Sequence, residues 1–574
     1  MAFDLATLAE ITLLVLGFYA IDLLTRRDGM TKTLSALRIG TPTLQASLLI
    51  GLSLPLAFFW NWSSVPQGTA IATVALGLSF MLGWKAVTED IDPVFGDHDP
   101  WCRPLVILSV IGLGFSPAFL IPTAFLFSTP YGLWEHHATL PMRLLLALSA
   151  FLGVQSLATG FGWRLGEEAL LADISVLLWF LVTIQISHYL ITALAKIWLG
   201  PKPWSWPVDN KMHHLGATAY SWGWGRWMSW DHWKKLVGAL RRTEKPMQWF
   251  AFLVELLAPL ALLHRDWAIA FCILWAGFHF GVVAVSGLFF WDWIGADLLI
   301  AAMLLQTPAD LAAPVFGGIP LAIGALFLVA FPLRHKLFKP IPLGWWDTPF
   351  TQRMHWRVTG ESGKVYGLYN DFMCPNERLY GKVHACFMAP RQGMTYHLGE
   401  VWKKELRDAL RAAGPNPEKL EEVRAEFGCE PRCETRTQNH QNYLRRFFAE
   451  LNDGAKKSPL PHALRWLKAP GDQLFYWGDL PRYRRQEPVT EVSLHYREEY
   501  FDGEKLVRIH DEDVVALPID AEARSLDCVP EPTPREIDDL LLEHANGKII
   551  DLPNFGSGYV EIDDGKARPN TQAN

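Results

Sequence analysis

The apolar positions fall into two regimes along the chain. Through roughly the first 340 residues they form runs of membrane length. A bilayer core of about 30 Å takes roughly 20 apolar residues in a helix. Ten such spans can be drawn: Thr7–Leu24, Leu44–Trp60, Gly68–Val87, Pro104–Phe127, Arg143–Phe161, Ile174–Trp198, Met247–Leu263, Trp267–Phe289, Trp293–Gln306 and Phe316–Phe331. The last two are short and fit a tilted, partial or re-entrant path, so eight to ten crossings are expected. No run of that length follows Phe331.

Beyond Gly344 the pattern changes. HWRVTGESGKVYGLYNDF alternates about a turn at Gly360–Gly363, the mark of a hairpin. A helix is predicted over Gly399–Ala413, with Pro415 just past its end, and a second over Gln441–Asn452. EVSLHYREEYFDGEKLVRI then reads as strands turning at Asp502-Gly503. From about Gly565 the chain is polar and reads as a frayed end. The expected fold is an α-helical membrane bundle over residues 1–340, followed by a soluble α+β domain over residues 341–574. No internal repeat stands out.

One stretch fits neither regime. From Trp204 to Trp233 the chain reads WSWPVDNKMHHLGATAYSWGWGRWMSWDHW. Indoles favour the headgroup region and their N–H groups need partners, so an interfacial belt is expected. A roof over a cavity is the alternative.

Composition sharpens this reading. Only 19% of the 574 residues are charged, below the roughly 25% of soluble proteins, and 26 Trp suit a long membrane–water boundary. The net charge of -7, with no long basic stripe, argues against a nucleic-acid partner. The 7 cysteines form no disulfide framework; Cys429 and Cys433 are a lone C-x3-C, by default a free pair. The first apolar run has no basic region before it and no small-residue cleavage site, and is expected to be a retained helix. The chain is thus expected to be a multi-pass protein of the cell (inner) membrane, surrounded by lipid.

The positive-inside rule places three loops in the cytoplasm. They carry Arg26, Arg27, Lys32 and Arg38; Lys234, Lys235, Arg241, Arg242 and Lys245; and Arg334, Lys336 and Lys339. Ten full spans cannot satisfy all three. Either one span is not a crossing or one basic cluster lies outside.

Ionisable groups inside apolar helices are costly and point to function. His188, Thr192 and Lys196 recur every four residues, and Gln185 lies nearly three turns before Lys196, so all four share a helix face. A polar stripe thus runs through a membrane helix and ends in a lysine. Burial lowers a lysine's pKa, which suits a general base or an imine former. The plain alternative is a lysine that snorkels to the headgroups. Glu255, His279, Asp292 and Asp297 lie in or beside later apolar runs. Together with Lys196 and His188 they favour an internal polar site over isolated core groups.

Other clusters carry less. Asp90, Asp92, Asp97, His98 and Asp99 read as a solvated acidic loop without EF-hand spacing. His136-His137 and His213-His214 are adjacent pairs whose rings are not expected to chelate together. No nucleophile elbow, phosphate loop, zincin helix or haem motif occurs.

These residues resemble the HTTM superfamily, the membrane module shared with the vitamin K-dependent gamma-carboxylase. The family has a helix reading roughly Tyr-Phe-x-Ala-Gly-x-x-Lys-Leu before a Trp-rich stretch. The counterpart here is His188-Tyr-Leu-Ile-Thr-Ala-Leu-Ala-Lys196-Ile-Trp. Glu255, His264-Arg265-Asp266, Phe278-His279-Phe280 and Phe289-Phe290-Trp291 are similar to the family's acidic helix, basic corner, aromatic-His motif and Phe-rich helix start. Trp345-Trp346-Asp347 and the hairpin around Glu361-Ser362-Gly363 are placed like the start of the carboxylase's extracytoplasmic β-rich domain. The likeness covers roughly residues 170–370. The family's glycine three before the lysine is Ala193 or Leu194 here, depending on alignment.

The resemblance implies quinol oxidation and epoxidation coupled to carboxylation of a protein or peptide glutamate. Lys196 would deprotonate a reduced quinone resembling vitamin K hydroquinone, and no metal is expected. His188, His279 and Glu255 would be further catalytic candidates, tuning the base or relaying protons. Thr192, Gln185, Trp198 and Phe278 would line the quinol site. Two other classes remain open. One is a non-catalytic export or assembly partner, for which Arg482-Tyr-Arg484-Arg485 is a candidate surface. The other is an ion-coupled transporter using Glu255, His279 and Lys196.

Overall fold

The computed structural model describes residues 5–26, 41–65, 67–96, 100–128, 138–160, 166–312, 316, 318–320, 322–326, 343–368, 372, 388–395, 397–428, 434–475, 480–529, 560–563 and 566–569. Helices α1 (Leu5–Arg26), α2 (Pro42–Phe59), α3 (Gly68–Thr88), α4 (Cys102–Phe115), α5 (Leu120–Ser128), α6 (Thr139–Gly160) and α7 (Gly166–Trp198) come first. Then follow α8 (Ser205–Asp209), α9 (Met212–Ser221), α10 (Trp230–Leu256), α11 (Arg265–Ser286), α12 (Trp291–Gln306) and α13 (Ala309–Ala312). The tail holds β1 (Trp346–Asp347), β2 (Phe350–Gly360), β3 (Val365–Gly367), β4 (Glu400–Val401), α14 (Lys404–Ala413), α15 (Pro417–Phe427), α16 (Glu434–Asn452), β5 (Val489–Phe501) and β6 (Leu506–Pro518). A last pair, β7 (Val560–Asp563) and β8 (Lys566–Pro569), closes the described chain.

Among the described residues, five helices are long and apolar enough to cross a membrane: Pro42–Phe59, Gly68–Thr88, Thr139–Ser156, Ile174–Trp198 and Arg265–Ser286. Eight to ten crossings were the expectation, and three interruptions account for part of the gap. The run Pro104–Phe127 divides at Ser116, whose hydroxyl caps a 3-10 turn beginning at Pro117. The run Met247–Leu263 is the end of α10 followed by a 3-10 turn over Ala258–Leu262. The run from Trp293 belongs to α12, a helix of 16 residues. The span drawn over Phe316–Phe331 lies partly outside the described residues, as do Cys429, Cys433, His136 and His137.

Helix α7 is the axis of this region, buried at every position from Ile174 to Ala193. Peripheral helices show the opposite. On α2, Leu52, Phe58 and Phe59 point outward, and on α4 Ile111 and Phe115 do so. The helices are bounded by local signals. Thr41 accepts from the Leu44 amide to begin α2, with Pro42 as the first helical residue. Gly287 ends α11 in the left-handed region at φ 77°, and its amide returns to the Val283 carbonyl at 3.0 Å. A side chain at Gly287 would also strike Trp224.

The tail sheet has strand order β3-β2-β5-β6, with each neighbouring pair antiparallel. Both expected hairpin turns are present, at Gly360–Gly363 and at Asp502-Gly503, where Gly503 has φ 102°. One sheet face places Met354, Trp356, Val358, Val492, Leu494 and Tyr496 against Tyr443, Leu444, Phe447 and Phe448 of α16. The other face carries polar residues and meets α9, where Trp222 Nε1 donates to Thr351 Oγ1 at 2.7 Å.

Several tail elements differ from expectation. The helix predicted over Gly399–Ala413 begins only at Lys404, because Glu400–Val401 pairs with Trp346–Asp347 as a strand. The helix predicted from Gln441 begins at Glu434. Helix α15 was missed, although Asn416-Pro417 is a legible start: the Asn416 side chain accepts from the Lys419 amide at 3.1 Å. Strand β8 lies within the end read as frayed, because its backbone pairs with β7.

Candidate functional site

The α7 stripe meets three different sets of partners. At its C-terminal end, Lys196 Nζ lies 2.7 and 2.5 Å from the two carboxylate oxygens of Glu255 on α10. Both side chains are buried. The Trp206 ring stands 5.0 Å from the same ammonium, within cation–π range. Its indole N–H donates to the Trp345 carbonyl at 2.7 Å, which ties the tail to this site. Lys196 is therefore not a snorkelling group: it faces inward and has a carboxylate partner.

Two turns earlier a second centre forms around Asp297 of α12. Gln185 Nε2 donates to one oxygen at 2.8 Å, and the Tyr189 hydroxyl donates to the other at 2.7 Å. His279 Nδ1 of α11 is 3.3 Å from the Tyr189 oxygen. Tyr189 stacks on Trp275 at 4.3 Å, and Trp293 meets the rings of Tyr189 and His279 edge-on. Phe278 packs beside His279 with ring centroids 5.5 Å apart.

His188 belongs to a third group. Arg143 Nη1 on α6 lies 3.0 Å from His188 Nε2, and the Arg143 Nε is 3.8 Å from Asp22 of α1. A guanidinium only donates, so Nε2 accepts and Nδ1 carries the proton. Nδ1 is 2.9 Å from the Ile184 carbonyl. Both ring nitrogens are thus committed, in a neutral tautomer.

Two of the nominated residues take no direct part in these centres. The Thr192 hydroxyl donates to the His188 carbonyl of its own helix. Trp198 is half-buried, and the indole against Lys196 is Trp206 instead. Tyr189, Arg143 and Asp22 were missed as site residues. Tyr189 is legible in the sequence as a polar neighbour on the stripe, and Asp22 as an acid in an apolar run; Arg143 marks only the start of a span there.

The Trp-rich stretch divides in two. Trp206, Trp222 and Trp233 are buried, and their N–H groups bond to Trp345, Thr351 and Gly216. Trp204 and Trp227 are exposed. Trp206 covers the end of α7 at Lys196, Trp222 packs against His397 and Phe475 of the tail, and Trp233 lies in the first turn of α10.

Below the tail, β1 and β4 set two buried carboxyls opposite one another, Asp347 and Glu400. Asp347 accepts from Asn210 Nδ2 at 2.6 Å and from Trp345 Nε1 at 3.2 Å. Burial pushes its pKa up to about 6 against the lowering effect of those donors. Burial, with Asp347 adding, holds Glu400 well above the carboxylate range. Neither was nominated from the sequence, because strand register alone brings them together.

Other clusters resolve into structural contacts. Asp90 is buried against Lys457 and Lys468, each at 2.6 Å, and Asp92 accepts from the Tyr443 hydroxyl at 2.9 Å. The acidic loop read as solvated is thus partly a clamp on the tail; Asp97, His98 and Asp99 lie outside the described residues. His213 and His214 do meet, with ring centroids 4.4 Å apart, and His213 Nδ1 lies 2.5 Å from Glu244. Arg482 and Arg485 are half-buried at the sheet edge, where Arg482 bridges to Gly367.

The chain matches no family model, no curated protein and no solved structure.

Proposed function

We propose that this chain is a multi-pass membrane protein of the inner membrane, with eight to ten crossings, and an enzyme resembling the vitamin K-dependent gamma-carboxylase of the HTTM superfamily. Membrane residence is supported by the inverted distribution of polarity. Large apolar side chains face outward on α2 and α4, while Lys196, Glu255, Asp297 and Arg143 are buried.

The observation that carries the chemical reading is the Lys196–Glu255 pair. Lys196 is the proton acceptor once its ammonium proton has passed to Glu255, whose carboxylate oxygens lie 2.5–2.7 Å away and hold the amine in place. The residues suit a reduced quinone in kind: a buried amine beside the Trp206 ring can take a hydroxyl proton while aromatic carbon covers a flat apolar molecule. Trp206 and Phe278 would hold it. When bound, such a quinol would supply the reducing equivalents for oxygen chemistry and, through it, carboxylation. The packed aromatic surroundings would keep water away.

A second reading, an ion-coupled transporter, draws on the Gln185–Asp297–Tyr189–His279 group, whose linked hydrogen bonds suit a proton relay. The test that separates them uses solubilised protein with reduced naphthoquinones, oxygen, carbonate and glutamate peptides. Epoxide formation by wild type, reduced at least about a hundred-fold in a folded Lys196→Ala variant, is the expected result. Unchanged turnover in that variant removes Lys196 as the base.

A further inference from the structure

Helix α10 changes character along its length. Positions 235, 238, 242, 245, 249 and 253 recur at intervals of three or four and form one exposed stripe: Lys235, Gly238, Arg242, Lys245, Trp249 and Leu253. The stripe runs from basic through aromatic to apolar. Pro246 stands at the change, inside the helix, where it cannot donate to the Arg242 carbonyl. Nothing lies near Gly238 on the outward side.

Exposed Arg241 flanks the stripe, and exposed Lys211 lies nearby. Lys211 is held below its ordinary pKa first by partial desolvation and then by Arg411, with Glu244 opposing and Arg241 and Lys245 adding to the shift. Lys245 donates to the Val208 and Asn210 carbonyls and so joins this helix to the turn that presents exposed Trp204. Acidic groups do not balance the patch. Glu244 turns inward to His213, and Asp231 lies a turn before Lys235 in the first turn of the helix. Lys235, Arg241 and Arg242 have no carboxylate within ion-pair distance among the described residues. The nearby pair of Lys234 with Glu504 occupies a different lysine.

We propose that this half of α10 lies along the bilayer surface and binds the headgroups of anionic phospholipids, with Lys235, Arg241 and Arg242 against phosphate and Trp204 and Trp249 at the glycerol level. The inference rests on the membrane residence argued above, not on the quinol chemistry. Charge complementarity selects the partner. Lys235, Arg241 and Arg242 make no ion pair among the described residues, and the same stripe continues without a break into the outward apolar surface of Trp249, Phe250 and Leu253. A soluble acidic protein would satisfy the cations but leave the aromatic and apolar end of the stripe in water.

The test reconstitutes the full chain in vesicles of phosphatidylcholine, with and without about one-third phosphatidylglycerol, and measures the association of spin-labelled forms of each lipid. Wild type is expected to prefer the anionic label by about five-fold or more, falling toward unity as potassium chloride is raised. The triple variant Lys235→Gln, Arg241→Gln, Arg242→Gln is expected to lose that preference with its melting temperature unchanged, and Arg242→Lys alone to keep it. Inorganic phosphate at matched ionic strength is expected to leave the preference intact; abolition by phosphate would point to a free-anion site and overturn the lipid assignment. Equal association of both labels with wild type, or a triple variant indistinguishable from wild type, also overturns it. A protein that floats with neither vesicle fails the membrane reading first, and this surface with it.

Discussion

The helical region and the tail sheet both bury charge, but they do so differently. In the helical region the partners of a buried ion come from distant segments: Lys196 meets Glu255, and Arg143 meets His188 and Asp22. On the sheet, ladder neighbours form a mesh. His495 Nδ1 lies 2.7 Å from Asp513, Arg497 donates to Asp511 at 3.3 Å, Arg508 lies 2.8 Å from Asp511, and the His355 and His495 rings are 4.9 Å apart. A mesh can redistribute its contacts when one member is lost. The Lys196–Glu255 pair has less to redistribute, with Asp347 acting on Lys196 only through its field, so the remaining charge keeps most of its desolvation cost.

The sharpest test of this difference is Glu255→Leu. It leaves the Lys196 ammonium buried without its carboxylate and should destabilise the protein by about 3–5 kcal/mol. The double variant Lys196→Met, Glu255→Leu should recover most of that loss. Thermal melting of solubilised protein reads both, and a double variant as unstable as the single one would mean that the pair is not an isolated unit.

A smaller, pH-dependent effect is expected where the tail meets the helices. Asp347, pushed up to about 6, and Glu400, also raised, bind protons in the folded protein at pH values where the unfolded chain has released them. Stability contributed by this site is therefore full below the unfolded carboxylate range near pH 4 and declines as pH rises through 6. Glu400→Gln should make the decline shallower, read as melting temperature against pH. A slope unchanged in that variant would break the assignment.

The smallest effect is expected at the rim. Lys234 and Glu504 pair on the surface, where both remain substantially exposed. Lys234→Gln should lower the melting temperature far less than Glu255→Leu does, and less again in high salt. A loss as large as that of Glu255→Leu would show that this contact is part of how the tail is anchored.

The sequence laid out the hydrophobic regime, the polar stripe on α7 and both tail hairpins, because each is written in local periodicity. Spacing of four put Gln185, His188, Thr192 and Lys196 on one side of a helix, and Asp502-Gly503 declared its own turn. Charge in the apolar runs also singled out Glu255, His279 and Asp297. Local pattern could not say which of these meet. Only packing gave Glu255 to Lys196, Asp297 to Gln185 and Tyr189, and Arg143 to His188. Only strand register set Asp347 opposite Glu400 and turned a predicted first helical turn into β4. The physical reason is the same throughout. Periodicity fixes the face on which a side chain lies, whereas a buried charge is decided by whatever distant segment can satisfy it at hydrogen-bond distance once water is excluded.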